Sequence, residues 1–548
     1  MAAFEIKDGV CIIPSGVTEI GSEAFKGCSS LTEIVIPSSV TKIGENAFFD
    51  CRSLKEITIP EGVREIGYKV FSGCSSLTEI VIPSSVTKIA EYAFVHCSSL
   101  KEITIPSGVT EIGKSAFLDC SVLTEIVIPS SVTKIGEHVF SDCSSLTEIV
   151  IPSSVTEIGS YAFYGCSSLT EIVIPSSVTE IGGRAFEGCT SLTSIEIPSS
   201  VTEIGNYAFT GCSSLKEIVI PSSVIEIGSC AFENCSGLEK IVVEDGNPKY
   251  DSREGCNAVI ETSTNELIDG CKATIIPSSV TEIGYDAFKN CSSLTEIVIP
   301  SSVTEIGYYA FESCSGLEKI VVEEGNPIYD SREGCNAIIE TATNKLIRGC
   351  KNTIIPSSVA EIGKEAFLGC SGLTEIVIPE GVREIGYKVF YDCSSLEKIV
   401  IPSSVTEIGE KAFSGCSSLT EIVIPSSVTE IHRFAFCVCI GLKEIVIPSS
   451  VTEIGDSTFL GCSGLKSVNI MSKANLPGYM FYECTSLETV TLPVGIKKIE
   501  CDVFWSCSNL KTIYVPAKKV DYYKKRLSVD FHSLIVELPA EKKTKTKK

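Results

Sequence analysis

The chain has 548 residues, of which 44% are hydrophobic and 21% charged, so it contains enough apolar residues to fold. Its 45 Lys and Arg against 69 Asp and Glu give a net charge of −24, which would repel nucleic-acid phosphates and anionic membranes. No stretch approaches the roughly 18 uninterrupted apolar residues of a membrane helix, and the first residues lack a secretory signal. We therefore predict no nucleic-acid partner, no membrane insertion and a cytoplasmic location, or a surface or secreted one if an unrecognised route exports the protein.

A 23-residue period starts near the amino terminus and runs through almost the whole chain. Phenylalanines such as Phe25, Phe48 and Phe71 recur every 23 residues, and each is followed three residues later by a cysteine. Nineteen such Phe-x-x-Cys steps lie between Phe25 and Cys507. Because a unit of this length is too short to close a core, each unit has to bury its apolar edge against its neighbours. The period predicts a repeat solenoid, mainly β, whose coils stack into one monomeric rod.

The first half of a coil, from Leu31 to Pro37, predicts a short strand. Alternation places Ile34 inside and Glu33 and Val35 outside, and the proline cannot donate to a strand ladder. We expect this strand to pair in register with its copies at a spacing of about 4.8 Å.

The second half of a coil predicts another short extended run and a tight turn. Val40 and Ile43 point inward, and Gly44 permits a bend. Ala47-Phe48 is expected to form a single helical or 3₁₀ turn that carries the ring into the core.

Two near-identical inserts interrupt the period. The spacing between Cys235 and Cys291 is one 23-residue period plus the length of an insert. The spacing between Cys314 and Cys370 is the same. Each insert contains an apolar run, a polar four-residue turn and a second apolar run, the pattern of a β-hairpin. We expect these hairpins to project from the rod.

Each predicted hairpin carries two cysteines at equal distances from its turn. In the first hairpin the turn is residues 262–265, so regular pairing places Cys256 opposite Cys271. The same pattern places Cys335 opposite Cys350 in the second. We expect these to be cross-strand cysteine pairs.

Both ends depart from the repeat. In the truncated first coil Cys11 takes the position that Ile34 holds later, so it is expected in the core. After Pro516, residues 520–527 and 534–538 predict a short helix and a strand that cover the last coil. The predicted parts of the chain are a truncated first coil (1–27), solenoid (28–243), hairpin insert (244–276), solenoid (277–322), hairpin insert (323–355), solenoid (356–515), carboxyl-terminal cap (516–539) and disordered Lys-rich tail (540–548).

The repeated cysteines could in principle bind soft metals, but their inward position is typical of a small hydrophobic residue. They have neither a CxxC pairing nor a histidine at ligand spacing, so no metal site is predicted. Cys230, Cys437 and Cys501 fall at variable positions and are expected to be exposed, which favours a reducing environment.

No catalytic constellation is recognisable. None of the four histidines neighbours a plausible nucleophile, and no glycine-rich phosphate loop is present, so we predict neither an enzyme nor a cofactor. Asp245, Asn247 and Asp251 in the first insert either form Asx turns that shape the base of the hairpin or bind an ion. The sequence of the second insert fits an ion site less well than it fits Asx turns.

The outward strand positions form an acidic and β-branched stripe that repeats with little change. Variation is concentrated next to Ala-Phe, for example at Tyr68-Lys69, and these residues are either a discriminating face or loops under no constraint. The candidate protein-binding face consists of Glu33, Val35, Glu56, Thr58, Glu79, Val81, Glu102, Thr104, Glu125, Val127, Glu148, Val150, Glu171 and Val173.

The recurring pattern LxxIxIPxxVxxIGxxAFxxC resembles the BspA-like, or Treponema pallidum-type, leucine-rich repeat. Proline, glycine, the Ala-Phe pair and cysteine all recur in frame, and the resemblance covers nearly the whole chain. It implies a leucine-rich repeat solenoid and an adhesin-like or host-interacting use. We therefore predict a non-enzymatic scaffold that binds an unknown protein ligand; the alternative is a passive spacer rod with no dedicated ligand.

Overall fold

The structure is a computed structural model that describes residues 4–539. The disorder predicted for residues 540–548 lies outside the described residues. The chain forms two compact units: residues up to Cys291 together with Glu305–Ala310, and Ser292–Thr304 together with the residues from Phe311 onward. Each unit contains its own stacked apolar core.

Most coils contribute one strand to each of two rows, which we call row A and row B. In the first unit, an additional strand, Ile6–Lys7, pairs antiparallel with the start of row A. Row A there consists of Val10–Ile12, Glu33–Val35, Glu56–Thr58, Glu79–Val81, Glu102–Thr104, Glu125–Val127, Glu148–Val150, Glu171–Val173, Ser194–Glu196, Glu217–Ile220 and Lys240–Val243. Row B there consists of Glu19–Ile20, Lys42–Ile43, Glu65–Ile66, Lys88–Ile89, Glu111–Ile112, Glu157–Ile158, Glu180–Ile181, Glu203–Ile204, Glu226–Ile227, Glu266–Gly270, Glu282–Ile283 and Glu305–Ile306.

The second unit repeats this arrangement. Its row A consists of Glu296–Ile299, Lys319–Val322, Glu375–Val377, Lys398–Val400, Glu444–Ile447, Ser467–Ile470, Thr489–Thr491, Thr512–Val515 and Ile535–Glu537. Its row B consists of Lys345–Gly349, Glu361–Ile362, Glu384–Ile385, Glu407–Ile408, Glu430–Ile431 and Glu453–Ile454. The inserts add the strands Tyr250–Asp251, Ala258–Glu261, Tyr329–Asp330 and Ala337–Glu340. The helical elements within residues 4–539 are α-helix Val520–Lys524 and 3₁₀ helices Arg253–Gly255, Arg332–Gly334 and Val529–Leu534.

The rows are parallel and in register, as the period predicts. Glu102 lies opposite Glu125 and Ile103 opposite Ile126, the equivalent residues of the next coil. In each such strand the isoleucine is buried while the residues on both sides are exposed. The predicted leucine-rich repeat solenoid, with one period of the sequence in each turn, is therefore confirmed.

The phenylalanines form a stack inside each unit, from Phe25 to Phe232 in the first and from Phe367 to Phe504 in the second. The rings of Phe25 and Phe48 are 5.3 Å apart and nearly parallel, and the same contact recurs coil after coil. The backbone follows the same step, since the amide of Phe48 donates to the carbonyl oxygen of Val70 at 3.0 Å. Side chain and backbone thus fix the same coil-to-coil distance.

The segment around Ala-Phe is a series of tight turns. Cys51 N donates to Phe48 O, and Phe49 N donates to Asn46 O, both at 3.1 Å with the i→i+3 spacing of a 3₁₀ turn. Asn46 and Asp50 have positive φ angles of 55° and 60°, which end each right-handed turn before it can become a helix.

The inserts do not project from the coil stack, contrary to our prediction. In the first, Ala258–Glu261 and Glu266–Gly270 form the predicted hairpin with its turn at residues 262–265. The second strand of that hairpin then takes a place in row B, where it pairs parallel with Glu282–Ile283. Ala258, Val259 and Ile260 are fully buried, and this three-residue apolar run explains why the hairpin packs inward.

A bulge changes the predicted cysteine pairing in the first hairpin. Ala258 lies opposite Gly270 because the register shifts by one residue in the middle of the hairpin. Continuing this ladder places Asn257 opposite Cys271, so Cys256 does not face Cys271.

The second hairpin has the same bulge. Ala337 lies opposite Gly349, which displaces Cys335 from Cys350 in the same way. Both predicted cross-strand pairs are therefore wrong. The Cys350 thiol donates instead to the carbonyl oxygen of Asn336 at 3.2 Å.

Aromatic rings close the phenylalanine stacks at the chain ends. Phe4 stacks on Phe25 at 5.4 Å, and Cys11 is fully buried in row A opposite Ile34, as predicted. At the carboxyl end the predicted helix and strand form, and Phe531 meets the last ring of the stack edge-on at 5.7 Å. The apolar edges of the end coils are thereby covered.

Substitution of a ring in the stack should be costly. Phe140 is fully buried between Phe117 and Phe163, so Phe140→Ala should lower the free energy of unfolding by about 3–5 kcal/mol through lost contacts and a cavity. Urea denaturation followed by circular dichroism would measure the change. Val150→Ala is the control, because that side chain is 65% exposed and should change stability by less than about 0.5 kcal/mol. Equal effects of both substitutions would contradict the prediction.

Candidate protein-binding face

The candidate face is the outward side of row A in the first unit. All 14 predicted residues are exposed and lie on seven successive strands, from Glu33–Val35 to Glu171–Val173. The strand register aligns the glutamates in two runs, from Glu33 to Glu79 and from Glu102 to Glu171, with the valines and threonines in a second line beside them. The first three coils of this face border a shallow depression of about 300 Å³.

The seven glutamates of this face lack cationic partners. None of them forms an ion pair with another residue between positions 4 and 539. Row B of the same coils is different, because lysines alternate with its glutamates. The row B ion pairs Lys42–Glu19, Lys88–Glu111 and Lys134–Glu157 have N–O distances of 2.6–3.1 Å. The strands of the two rows have the same spacing, but over these coils only row B has lysines that form ion pairs with glutamates of its own row.

The valines of row A add apolar area beside the carboxylates. Val127, Val150 and Val173 lie on consecutive strands, and Val173 is 77% exposed. A line of exposed β-branched side chains next to a line of carboxylates can contact both the stem and the charged head of a long basic side chain.

The variable residues next to Ala-Phe form a second surface. The rings of His138 and Tyr161 stack at 4.3 Å, and the Arg184 guanidinium lies over Tyr161 and Tyr207. These side chains pack on one another between coils, so they are not unconstrained. A discriminating role for this surface stays a prediction.

The repeated cysteines donate hydrogen bonds to the backbone. The Cys97 thiol donates to the carbonyl oxygen of Phe71, one coil earlier, at 3.1 Å, and this contact recurs along both stacks. Burial raises the pKa of Cys51 to about 12 and that of Cys189 to about 12. Because the thiolate is the form that ligates metals, neutral buried thiols favour the structural interpretation of these residues.

One of the three cysteines predicted to be exposed is buried. Cys230 is buried, and its thiol donates to Asp286 Oδ2, in the coil that follows the first insert, at 3.4 Å. Cys501 is exposed and Cys437 is half-buried.

The polar residues at the base of the first insert are occupied by protein contacts. Asn247 Oδ1 accepts hydrogen bonds from the amides of Lys249 and Tyr250 at 2.8–2.9 Å, and the Asp251 carboxylate binds the Arg253 guanidinium. These contacts favour Asx turns over an ion site.

A group of possible metal ligands that our sequence analysis missed lies in row B of the second unit. Donor atoms of Glu407, Glu430 and His432 lie within 4.8 Å of one another, which makes this the one such group among residues 4–539. The sequence does mark this group as a departure from the repeat, because His432 stands where the adjoining coils have Gly409 and Gly455. Over the same residues, no helix is long and apolar enough to cross a membrane.

The family of the chain follows from its repeats. The model of the BspA type leucine-rich repeat region matches residues 18–147, 133–253, 265–335, 338–466 and 406–527. The chain belongs to the BspA-type leucine-rich repeat family. None of the curated proteins matches it.

Several solved structures are similar to this BspA-type chain. A leucine-rich repeat protein from Bacteroides ovatus is 27% identical, with a TM-score of 0.36, over 84% of this chain and 86% of its own. One from Eubacterium ventriosum is 26% identical, with a TM-score of 0.39, over 66% of this chain and 83% of its own. The T. pallidum leucine-rich repeat protein is 31% identical, with a TM-score of 0.28, over 34% of this chain and 78% of its own.

Thiol reactivity should separate the buried cysteines of this BspA-type chain from the surface. At about pH 8 the native protein should show one fast-reacting thiol, Cys501, because buried neutral thiols are unreactive. In denaturant all 27 cysteines should react. Titration with a chromogenic thiol reagent measures both numbers, and Cys501→Ser should remove the fast phase. Several fast thiols in the native state, or fewer than 27 on denaturation, would refute this assignment.

The part of row B in which glutamates follow one another without a lysine should make the stability of the fold depend on pH. Burial, followed by the neighbouring charges of Glu180 and Glu226, raises the pKa of Glu203. A carboxyl with a raised pKa in the folded state disfavours folding when ionised, and this penalty disappears as the pH falls through the folded pKa to the unfolded one. Glu203→Gln should therefore increase the free energy of unfolding at pH 7 by less than about 1 kcal/mol, which would be seen as a higher melting temperature. Near pH 4 the substitution should give no such increase.

Glu157→Gln is the matched control in the same row. Glu157 pairs with Lys134 at 2.6 Å, so neutralising it should leave stability at pH 7 unchanged or slightly lower. A stabilisation equal to that of Glu203→Gln would show that the local ladder of like charges is not the cause.

Proposed function

We propose that the chain is a non-enzymatic repeat scaffold that binds a basic protein segment along the seven glutamates of row A. The observation that carries the proposal is the contrast between the two rows. In row B of the same coils, lysines neutralise the stacked carboxylates. The seven stacked carboxylates of row A from Glu33 to Glu171 have no such partner among residues 4–539, and a bound cationic segment would supply one.

The geometry sets the form of the ligand. Carboxylates on successive coils repel one another at a strand spacing of about 4.8 Å, and a cationic segment relieves this repulsion on every coil that it contacts. The adjoining valines provide apolar contact for the stems of lysine or arginine side chains. Each coil contributes a small, similar term, so affinity is distributed over the face and increases with the number of coils engaged.

The finer proposal of an adhesin-like or host-interacting use rests on the family resemblance. Antibody labelling of intact cells would test it, with the protein expected at the cell surface. A strictly intracellular location would contradict the adhesin-like use and leave the basic-segment proposal standing. In the alternative, a passive spacer, the row A glutamates are solvated and bind no segment.

Neutralising the seven face glutamates of row A should weaken binding of a basic probe. A fluorescein-labelled oligolysine of about ten residues is long enough to span the seven coils when extended. Replacing the glutamates of row A by glutamine should weaken its binding at least about tenfold, measured by fluorescence anisotropy at low salt. The seven positions to change are Glu33, Glu56, Glu79, Glu102, Glu125, Glu148 and Glu171.

A variant in row B keeps the net charge equal. It also carries seven Glu→Gln changes in the same unit, and because they lie off the face it should bind the oligolysine within about threefold of the original chain. Equal weakening in both variants would indicate bulk charge, and absence of binding by the original chain would favour the passive spacer. The row B positions are Glu19, Glu65, Glu111, Glu157, Glu180, Glu203 and Glu226.

A further inference from the structure

His432 breaks the repeat at a position where a side chain is unusual. It follows the row B strand Glu430–Ile431, at the bend where the coils before and after have Gly409 and Gly455. A Cβ at Gly455 would lie 2.2 Å from the amide nitrogen of Arg433, so the neighbouring bend has no room for a side chain. An imidazole at this bend is therefore a local departure from the pattern of the stack.

The imidazole lies against two row B carboxylates from adjacent coils. Row B register places Glu407 directly opposite Glu430. His432 Nε2 is 2.7 Å from Glu407 Oε1 and 3.9 Å from Glu430 Oε2. Within residues 4–539 neither glutamate forms an ion pair with a lysine or arginine, and the nearby Arg433 is engaged by Glu410 at 2.9 Å.

We infer that Glu407, Glu430 and His432 form a binding site for a divalent metal ion of the zinc type. One imidazole nitrogen and two carboxylate oxygens are a donor set that Zn²⁺ accepts, at about 2.0–2.2 Å from each donor. The three donors already lie within 4.8 Å of one another, and all three side chains are partly exposed, so small rotations bring them around one ion. The charge of the ion would balance the two carboxylates.

The donor set also determines which ions the site excludes, and the positions of the donors determine how ion binding affects the stability of the fold. Ca²⁺ requires six to eight oxygen donors and Mg²⁺ an octahedral oxygen shell, whereas three donors with one nitrogen leave a tetrahedral ion one open position. Glu407 belongs to one coil, and Glu430 and His432 belong to the next. A bound ion would link two coils and stabilise the folded state in proportion to its occupancy.

The first unit contains an internal comparison. Glu180, Glu203 and Glu226 lie in register on three consecutive row B strands and have no histidine beside them. If carboxylates alone were sufficient, this ladder would bind the same ions. The proposal requires the imidazole, so zinc-type binding should depend on His432.

Titration of the full chain with Zn²⁺ and Co²⁺ tests the site. The background variant Cys501→Ser removes the exposed thiol as a competing ligand. Zn²⁺ should raise the melting temperature and bind with measurable heat by calorimetry, Ca²⁺ and Mg²⁺ should do neither, and Co²⁺ should give a visible absorption band. In that background His432→Gly and Glu407→Gln should each weaken Zn²⁺ binding at least about tenfold and remove the Co²⁺ band.

The variants and the control are chosen so that loss of folding and loss of the site can be told apart. His432→Gly restores the glycine found in the adjoining coils, so the variant is expected to fold, which circular dichroism would check. His96→Ala is the control, because His96 pairs with a single carboxylate, that of Asp119, at 2.8 Å, and its loss should leave Zn²⁺ affinity unchanged. Unchanged affinity in folded His432→Gly, equal binding of Ca²⁺, or no Zn²⁺ binding by the original chain would overturn the proposal.

Discussion

The stacking of one coil on the next is the interaction on which the rest of this structure depends. A single coil cannot enclose its own phenylalanine, so the ring is buried only because the coils before and after it present the same ring about 5.3–5.8 Å away. The backbone hydrogen bond from Phe48 N to Val70 O requires the same step. Register is therefore not adjustable coil by coil, because a shift of one residue would misplace both the ring and the hydrogen bond.

In-register stacking also determines the surface. Identical outward residues on successive coils must lie in lines, so any charge that recurs at one position becomes a ladder of like charges. Row B shows how such repulsion is relieved, since Lys88 stands between Glu65 and Glu111. Row A keeps glutamate on seven successive coils, a pattern that the fold does not require, because Ser194 and Lys240 occupy the same position further along. This freedom is why the uncompensated ladder is informative about function.

The features that sequence predicted well are those that the period controls. The two strand rows, their register and the burial of Cys11 all follow from which positions of a repeat are apolar, whereas the helix and strand after Pro516 were predicted from the local pattern of apolar residues there. The left-handed turn residues were missed, although Gly27, Asp50 and Gly73 alternate at one position and are the residue types that tolerate positive φ.

The inserts were harder to predict, because contacts from outside the segment determine their conformation. A hairpin pattern specifies the turn and the pairing near it, and those were correct. Whether the hairpin projects or packs against the coils depends on whether row B has a strand edge free to pair with it. The position of the cysteines depends on a bulge near the middle of the hairpin strands. Likewise, Cys230 is a variable residue by its position in the repeat, but it is buried and its thiol contacts Asp286 of the coil beyond the insert. None of these features is local in sequence.

The two inserts show how far local chemistry can diverge while the stack is preserved. Both hairpins have the same register and the same bulge, yet a buried aspartate, Asp269, in one corresponds to a buried arginine, Arg348, in the other. The guanidinium of Arg348 donates to the carbonyl oxygens of Phe311, Glu365 and Leu368.

Burial, reinforced by the charges of Glu233 and Asp286, holds the pKa of Asp269 well above its usual range and so favours its neutral acid form. Opposite charges are thus accommodated on one backbone by different means, one by hydrogen bonds from the cation and the other by suppression of the charge. Because each coil contacts only its neighbours, such a change requires adjustment over one or two coils and leaves the register of the others intact. A single coil can therefore acquire new chemistry, as at His432, without altering the fold that presents it.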